Sequence, residues 1–186
     1  RIISYGLEKA VEADADYIIL DIDTYGGAVN SADSIRTAIL GFEKPVIAYV
    51  NVQAASAGAL ICIACDIIYM KTGSSIGAAT VVNQTGDVMP DKYQSFMRGM
   101  MRSTAEATGR DPSVAESMVD TANVLSLTPS EAIEVGYCDG IAEDVNEVIK
   151  QMAGDNEFII KEMSDDVTFL EKIIQFLLNP LLQSIF

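Results

Sequence analysis

The sequence predicts an α/β fold built around a parallel sheet. Three short apolar runs, residues 17–22, 45–50 and 67–70, have the length of strands and the continuous hydrophobicity of strands that are buried on both faces. Predicted helices separate these runs, and such strand–helix alternation is typical of a right-handed α/β winding. At 186 residues the chain is long enough for one domain with a buried core.

The first half of the chain contains these strands and the helices between them. Residues 4–13 are predicted to form a helix that leads into the first strand. A Gly26-Gly27 turn follows this strand, and the next helix is predicted over residues 29–42, where apolar residues recur at helical spacing. Residues 56–65 form the predicted helix between the second and third strands.

The second half of the chain is mainly helical. Residues 72–91 are rich in glycine and are predicted as a loop, and a long helix is predicted over residues 92–108. Later helices have clear N-terminal signals, at Asp111, Thr128 and Asp144. Beyond these helices the composition becomes charged and then apolar. We therefore divide the chain into a domain of residues 1–155 and a C-terminal tail of residues 156–186.

The charge of the chain restricts its partners. The formal net charge is −15, whereas binding to a phosphate backbone needs a surplus of Lys and Arg. The same charge opposes docking on an anionic lipid surface. We therefore expect no nucleic-acid partner.

The cysteines predict neither a disulfide framework nor a metal centre. Cys62 and Cys65 form a C-x-x-C pattern, but they lie in an apolar run, where cysteine behaves as a small hydrophobic residue. With Cys138 the count is odd, which gives no sign of a disulfide-stapled module. A closed zinc site would need more ligands, and the chain has no histidine. We expect no metal and no cofactor.

Ser56 is a candidate nucleophile in a chain without histidine. It lies in an A-A-S-A-G-A run, whose small residues are expected to leave room for an extended substrate. Without histidine it cannot belong to a Ser-His-Asp triad, so another base must take its proton, and neutral lysine is the usual substitute. The chain offers seven lysines: Lys9, Lys44, Lys71, Lys92, Lys150, Lys161 and Lys172.

Two turns fall where an oxyanion hole would need them. Gly26-Gly27 follows one strand, and Ser56 opens a helix after the next, so the Ala57 N–H lies at the positive end of a helix dipole. One N–H from each turn would supply the two donors that stabilise an oxyanion. Each feature alone is common, because glycine is frequent in turns and serine is a favoured N-cap. A catalytic and a purely structural role both remain open.

Several segments carry a resemblance to a known family. The motifs are D-T-Y-G-G-A-V at residues 23–29, A-A-S-A-G-A at 54–59, G-S-S-I-G-A-A at 73–79, A-E-A-T-G-R at 105–110 and L-S-L-T-P-S-E-A at 125–132. In this order they resemble the Clp-class serine proteases, and most of all the membrane-bound branch called nodulation-efficiency protein D (NfeD), whose protease domain is stomatin-associated. The resemblance spans residues 4–150 and implies a Clp/crotonase-like fold, a spiral of β-β-α units.

The resemblance also implies a site. The nucleophile of this branch falls on Ser56, its base on Lys92, and its oxyanion donors on the N–H groups of Gly27 and Ala57. The implied enzyme is a Ser-Lys dyad endopeptidase that cleaves hydrophobic segments of membrane-associated, stomatin-like proteins. Lysine acts as a base only where burial or positive potential lowers its pKa, and we expect the substrate or a partner subunit to complete that burial. Lys71 is the best competitor for this role.

The chain also departs from the family pattern. Tyr25 stands before the paired glycines, where the family usually has proline. The family's first strand is missing from the domain of residues 1–155, and the apolar tail resembles the approach to a membrane region. The resemblance implies a homodimer or larger homo-oligomer. It also implies attachment to the cell membrane through segments outside this sequence, with the protease domain on the extracytoplasmic side.

Two other functions stay open on the sequence. A crotonase-type acyl-CoA enzyme would share the fold and the two-amide hole, but it needs acidic catalytic residues and a basic patch for the CoA phosphates. Such a patch is hard to assemble at a net charge of −15. The other is a catalytically inactive scaffold that keeps the fold and assembles membrane proteins.

Overall fold

The structure is a computed structural model that describes residues 2–154 and 159–162. The helices are α1 (Ile2–Glu12), α2 (Val29–Leu40), α3 (Ala57–Ala64), α4 (Asp91–Ala107), α5 (Pro112–Ser117), α6 (Pro129–Glu134) and α7 (Val145–Ala153). The strands are β1 (Ile18–Thr24), β2 (Val46–Ala55), β3 (Ile67–Met70), β4 (Ser75–Gly77), β5 (Ser126–Leu127) and β6 (Gly140–Ile141). Most of the tail predicted for residues 156–186 lies outside the described residues, so the domain boundary stays a prediction.

β2 lies at the centre of a six-stranded sheet. β1 pairs with it in parallel along one edge. β3 and β4 pair in parallel with successive parts of its other edge, with Ile67 opposite Ile47 and Gly77 opposite Ala55. The prediction of an α/β fold around a parallel sheet is confirmed.

The sheet extends beyond the strands that the sequence predicts. β2 continues to Ala55 and so reaches the candidate nucleophile directly. β4, β5 and β6 have only two or three residues each, too few to show a period-2 pattern. The segment 72–91, predicted as a loop, contains β4 and an antiparallel bridge between Val82 and Val88. Pairing with neighbouring strands, rather than local sequence, makes these residues extended.

The two faces of the sheet are covered unequally. The larger core packs one face against α2, α3 and α4 and contains Leu60, Ile63 and Met97. α7 covers the other face over a smaller cluster that includes Ile47 and Tyr49. Over the described ranges of the chain, no helix combines the length and the apolarity that crossing a membrane requires.

Cys62 and Cys65 belong to the larger core, and both are 0% exposed. Burial raises the pKa of the Cys62 thiol to about 12, and it raises the pKa of Cys65 well above its ordinary value. Both thiols are therefore protonated and unreactive at neutral pH. The interpretation of this pair as small hydrophobic residues is confirmed.

Arg110 is a buried cation that fixes the C-terminal end of α3. Its guanidinium donates to the carbonyl oxygens of Ile63 at 3.2 Å, Cys65 at 2.9 Å and Asp66 at 3.3 Å. The side chain is 5% exposed, and the Asp139 carboxylate lies 3.7 Å away. Carbonyl groups at the end of a helix have no partner within the helix. Arg110 supplies the donors that they lack.

We expect Arg110→Met to lower the free energy of unfolding by about 3 kcal/mol, because buried carbonyl groups lose their donors while most of the side-chain volume is kept. Urea unfolding followed by circular dichroism measures the loss. The control is Arg102→Met, which removes a partly exposed ion pair with Glu116 and should cost less than about 1 kcal/mol. Equally small losses in both variants would contradict the role given to Arg110.

Candidate active site

Ser56 occupies a strained turn between β2 and α3. Its backbone angles are φ 56° and ψ −118°, in a region that residues other than glycine rarely adopt and that costs on the order of 1–3 kcal/mol. A serine on a sharp strand-to-helix turn is the arrangement of the nucleophile elbow, which exposes the hydroxyl above the end of a sheet. The strain therefore favours a functional role for Ser56.

The backbone of this turn is held from both sides. The Ser56 N–H donates to the Gly77 carbonyl of β4 at 2.9 Å, and the Ser56 carbonyl accepts the Ala59 N–H at 3.0 Å. The hydroxyl, in contrast, makes no capping hydrogen bond to α3. Serine is favoured at an N-cap because its hydroxyl accepts such a bond. Capping of α3 by the hydroxyl therefore does not explain why a serine stands at position 56.

The Gly26-Gly27 turn lies directly against Ser56. A β-carbon built on Gly26 would be 2.6 Å from the Ser56 Cβ and 3.1 Å from its Oγ, so only glycine fits there. Gly26 also has φ +115°, and Thr24 Oγ1 accepts its N–H at 3.0 Å. The structure thus brings together the two turns that the sequence singles out, at the carboxyl ends of β1 and β2.

We expect Gly26→Ala to slow the reaction of Ser56 with a serine-directed fluorophosphonate by at least about 10²-fold. The added methyl group would lie 2.6 Å from the Ser56 Cβ, so one of the two turns must move, and a shift of about 1 Å costs this much in a positioned reaction. The control is Gly6→Ala in α1, where a β-carbon meets nothing within 4 Å. An unchanged rate for the Gly26 variant would contradict the described contact.

The N–H groups of Gly27 and Ala57 are the predicted oxyanion donors. Among the described residues, neither group has a hydrogen-bond acceptor. A β-carbon built on Gly27 meets nothing within 4 Å, so open space adjoins this turn. Ala57 is the first residue of α3, at the positive end of the helix dipole. The assignment of these groups as an oxyanion hole stays a prediction.

The small residues that follow Ser56 serve close packing. Ala57 is 6% exposed and Ala59 is 0% exposed, and a β-carbon on Gly58 would be 2.5 Å from Thr24 Cγ2. Alanine and glycine here allow α3 to approach the end of β1. The expectation that small residues on both sides of Ser56 leave room for a substrate is wrong on the α3 side, because these residues face the core.

Two residues that support the site, Thr24 and Gly77, are not predicted from the sequence. Thr24 holds Gly26 through its hydroxyl, and a threonine shortly before a glycine after a strand is a turn signal that could have revealed it. Gly77 accepts the N–H of the candidate nucleophile, and a β-carbon built on it would be 2.4 Å from the Leu125 carbonyl oxygen. This contact depends on the pairing of β4 with β5, for which there is no local signal.

Lys92 lies in the first turn of α4, and its side chain is exposed. Its amine is 4.8 Å from the centroid of the Tyr93 ring, a cation–π contact. In the part of the chain that the structure describes, Lys92 forms no ion pair and shares no hydrogen bond with Ser56. The amine therefore contacts the Tyr93 ring rather than a carboxylate, and the structure does not bring it into contact with the candidate nucleophile.

Three other lysines are weaker candidates for the base. Lys9 and Lys44 each pair with a carboxylate. Burial raises the pKa of Asp21, and Lys71 is among the neighbours that oppose this rise. Asp21 precedes Ile22, which packs in the larger core, so its side chain points to the opposite face of the sheet from α3. Lys71 is therefore a weaker candidate base than the lysine of α4.

Comparison with known proteins assigns the family. The profile of the family described as NfeD1b, N-terminal domain, matches residues 1–162. The chain belongs to this family. The resemblance to the NfeD branch that the sequence motifs carry is confirmed.

Two curated relatives are similar to this chain. The membrane protein NfeD1b of Bacillus subtilis (strain 168) is 37% identical over 191 residues, which cover 97% of this chain and 43% of the relative. The membrane-bound protease PH1510 of Pyrococcus horikoshii is 34% identical over 153 residues, which cover 78% of this chain and 34% of the relative. The chain thus spans less than half the length of either relative.

Solved structures establish the fold of this NfeD1b-type domain. A lysine-to-alanine mutant of the 1510-N membrane-bound stomatin-specific protease, in complex with a substrate peptide, matches with a TM-score of 0.78 at 27% identity, over 94% of this chain and 89% of that chain. ClpP1 from Listeria monocytogenes matches with a TM-score of 0.61 at 23% identity, over 77% and 84%. At this low identity, the match to ClpP1 supports the fold alone. The predicted Clp-like fold is confirmed.

Proposed function

We propose that this NfeD1b-type domain is a serine endopeptidase with a Ser56–Lys92 dyad. The observation that carries the proposal is the position of Ser56 on a strained strand-to-helix turn, in contact with Gly26. Its hydroxyl makes no capping hydrogen bond to α3. Such a turn presents a hydroxyl beside free N–H groups, which is what acyl transfer needs. The similarity to a relative that is named a membrane-bound protease supports the proposal.

In the proposed reaction, Ser56 Oγ attacks the carbonyl carbon of the scissile peptide bond and gives its proton to Lys92 Nζ. The carbonyl oxygen becomes an oxyanion, which the N–H groups of Gly27 and Ala57 stabilise. Lys92 then donates the proton to the leaving nitrogen, and the C–N bond breaks to leave an acyl ester on Ser56. A water molecule that Lys92 deprotonates attacks this ester, and the proton returns to Ser56 Oγ as the acid product leaves.

In the proposed reaction, the substrate or a partner has to bring Lys92 to Ser56 in its neutral form. Lys92 is exposed and lies over Tyr93, and a lysine accepts a proton only in its neutral form. Removing water from around an amine favours that form. We propose that a bound peptide or a second subunit covers the start of α4 and brings the amine to Ser56.

The proposed substrates are hydrophobic segments of membrane-associated, stomatin-like proteins. This part of the proposal rests on the relatives, since PH1510 is named a membrane-bound protease and 1510-N a stomatin-specific protease. The Bacillus subtilis relative is named a membrane protein. We accordingly propose attachment to the cell membrane through segments outside this sequence. The protease domain would be extracytoplasmic and would assemble as a homodimer or larger homo-oligomer.

A serine-directed fluorophosphonate tests the proposed function. The protein is incubated with the probe, in the presence and absence of an apolar peptide from a stomatin-like protein. We expect labelling at Ser56, located by mass spectrometry, and we expect the peptide to slow this labelling and to be cleaved. Binding of the peptide without labelling or cleavage would favour the inactive scaffold instead.

A further inference from the structure

A hairpin of residues 81–89 joins β4 to α4. Val82 and Val88 form an antiparallel bridge across it, and the Met89 N–H donates to the Val81 carbonyl at 2.9 Å. The side chains of Asn83, Thr85 and Asp87 close the turn through hydrogen bonds with one another and with backbone N–H groups. The segment that leads into the first turn of α4 is therefore a formed structural unit rather than a loose loop.

Gln94 attaches this hairpin to α4. It is 2% exposed, and its amide oxygen accepts the Val81 N–H at 2.9 Å. Its amide nitrogen donates to the carbonyl oxygens of Val81 at 2.7 Å and Met89 at 3.0 Å. A buried amide is costly without partners, and here each of these bonds goes to the hairpin. Gln94 thus fixes the distance between both sides of the hairpin and the start of α4.

We propose that Gln94 is a positioning residue for Lys92, an inference that rests on the proposed Ser56–Lys92 reaction. Lys92 stands two residues before Gln94, in the first turn of α4. The other end of the hairpin follows β4, whose Gly77 carbonyl accepts the Ser56 N–H at 2.9 Å. A continuous set of hydrogen-bonded elements therefore links the nucleophile to the helix that carries the base, and Gln94 is the link at the helix.

The rest of α4 and the base of the hairpin are held independently of Gln94. Met97 and Met101 anchor α4 in the larger core. The Ala79 N–H donates to the Met118 carbonyl at 2.7 Å, and the Thr80 hydroxyl donates to the Asp120 carbonyl at 2.7 Å. Loss of the Gln94 amide should therefore release the first turn of α4 without unfolding the domain.

Gln94→Met removes the amide and keeps the volume of the side chain. Because a displacement of about 1 Å typically costs about 10²-fold in rate, we expect kcat for an apolar peptide to fall by this factor while KM changes little. The matched control is Gln151→Met. The exposed Gln151 of α7 donates through its amide to the Ile141 carbonyl at 2.9 Å, so this variant should cleave as the wild type does.

A double-mutant cycle separates positioning from a general structural role. The rate of Ser56 labelling by a fluorophosphonate is measured in the wild type, Gln94→Met, Lys92→Met and the double variant, with excess probe over hours so that slow rates are resolved. If Gln94 acts through Lys92, its loss should cost about 10²-fold where Lys92 is intact. In the Lys92→Met background the same loss should cost nothing further.

Any other result would contradict the inference, and its pattern shows whether the positioning role alone or the proposed function as well has failed. Equal losses in both backgrounds, or no loss in either, would refute a positioning role and leave the Ser56–Lys92 reaction standing. A wild type that neither labels at Ser56 nor cleaves peptide would refute the proposed function and the positioning role together. If Gln94→Met does not fold, Gln94→Glu takes its place, because an ionised carboxylate keeps the acceptor but cannot donate to the two carbonyl groups.

Discussion

Ser56→Ala is expected to lower kcat for peptide cleavage by about 10⁵-fold or more, because the variant has no oxygen that can form the acyl-enzyme. The β-carbon that packs against Gly26 is retained, so the turn and the open space beside it should keep their shape. Peptide binding should therefore stay close to that of the wild type. Cleavage of an apolar peptide, followed by mass spectrometry, and peptide binding by calorimetry measure the two effects separately.

The matched control is Ser117→Ala. The exposed Ser117 of α5 donates through its hydroxyl to the Ser113 carbonyl at 2.9 Å, so its loss should leave cleavage unchanged. A Ser56→Ala variant that cleaves as fast as this control would remove Ser56 from the mechanism. A variant that has lost peptide binding as well would point to a collapsed turn rather than to a lost nucleophile.

Lys92→Met is expected to lower kcat by about 10²- to 10⁴-fold, the usual contribution of a positioned general base. Methionine keeps an unbranched chain of similar length, so α4 should remain folded. Lys92→Arg should be as inactive as Lys92→Met, because a guanidinium does not give up its proton in the working pH range. Rates are measured with the same apolar peptide at several pH values.

Lys71→Met serves as the control for this substitution. Lys71 acts electrostatically on Asp21, on the face of the sheet away from α3, and its loss should leave kcat unchanged. The opposite pattern, a fall in kcat for Lys71→Met with normal turnover by Lys92→Met, would assign the base to the end of β3 rather than to α4. Normal turnover by Lys92→Arg would exclude proton transfer by this side chain.

The central part of the fold could be predicted because its signals are local. The apolar runs of β1, β2 and β3 and the caps of α5, α6 and α7 depend on residues close in sequence. For α6, for example, the predicted capping box is present between Thr128 and Glu131. β4, β5 and β6 could not be predicted, because their few residues are extended only through pairing with distant strands.

The site could be predicted in part for the same reason. A serine between small residues and a glycine pair after a strand are visible in the sequence, and the contact between Gly26 and Ser56 follows from parallel pairing of β1 with β2. The positive φ of Ser56 has no local signal, and the bond of its N–H to Gly77 on β4 depends on strand pairing across the chain. Gln94 resembles any polar residue of a helix, and only the folded hairpin reveals its hydrogen bonds.

Lys92 is the proposed site residue whose working position depends most on a bound ligand. The sequence predicts a lysine at the start of α4, and the structure has it there, but with its amine over Tyr93. An exposed lysine side chain is long and flexible, so its resting position is set by weak contacts. The proposed pairing with the Ser56 hydroxyl would require a substrate or partner that displaces water from this region.

A crystal structure of the protein with a peptidyl phosphonate bound covalently to Ser56 would test the dyad most directly. We expect Lys92 Nζ to leave Tyr93 and to lie within about 3.2 Å of Ser56 Oγ. We also expect the phosphoryl oxygen to lie about 3 Å from the backbone nitrogens of Gly27 and Ala57. An adduct in which Lys92 remains over Tyr93 while another residue contacts Ser56 Oγ would contradict the proposed dyad.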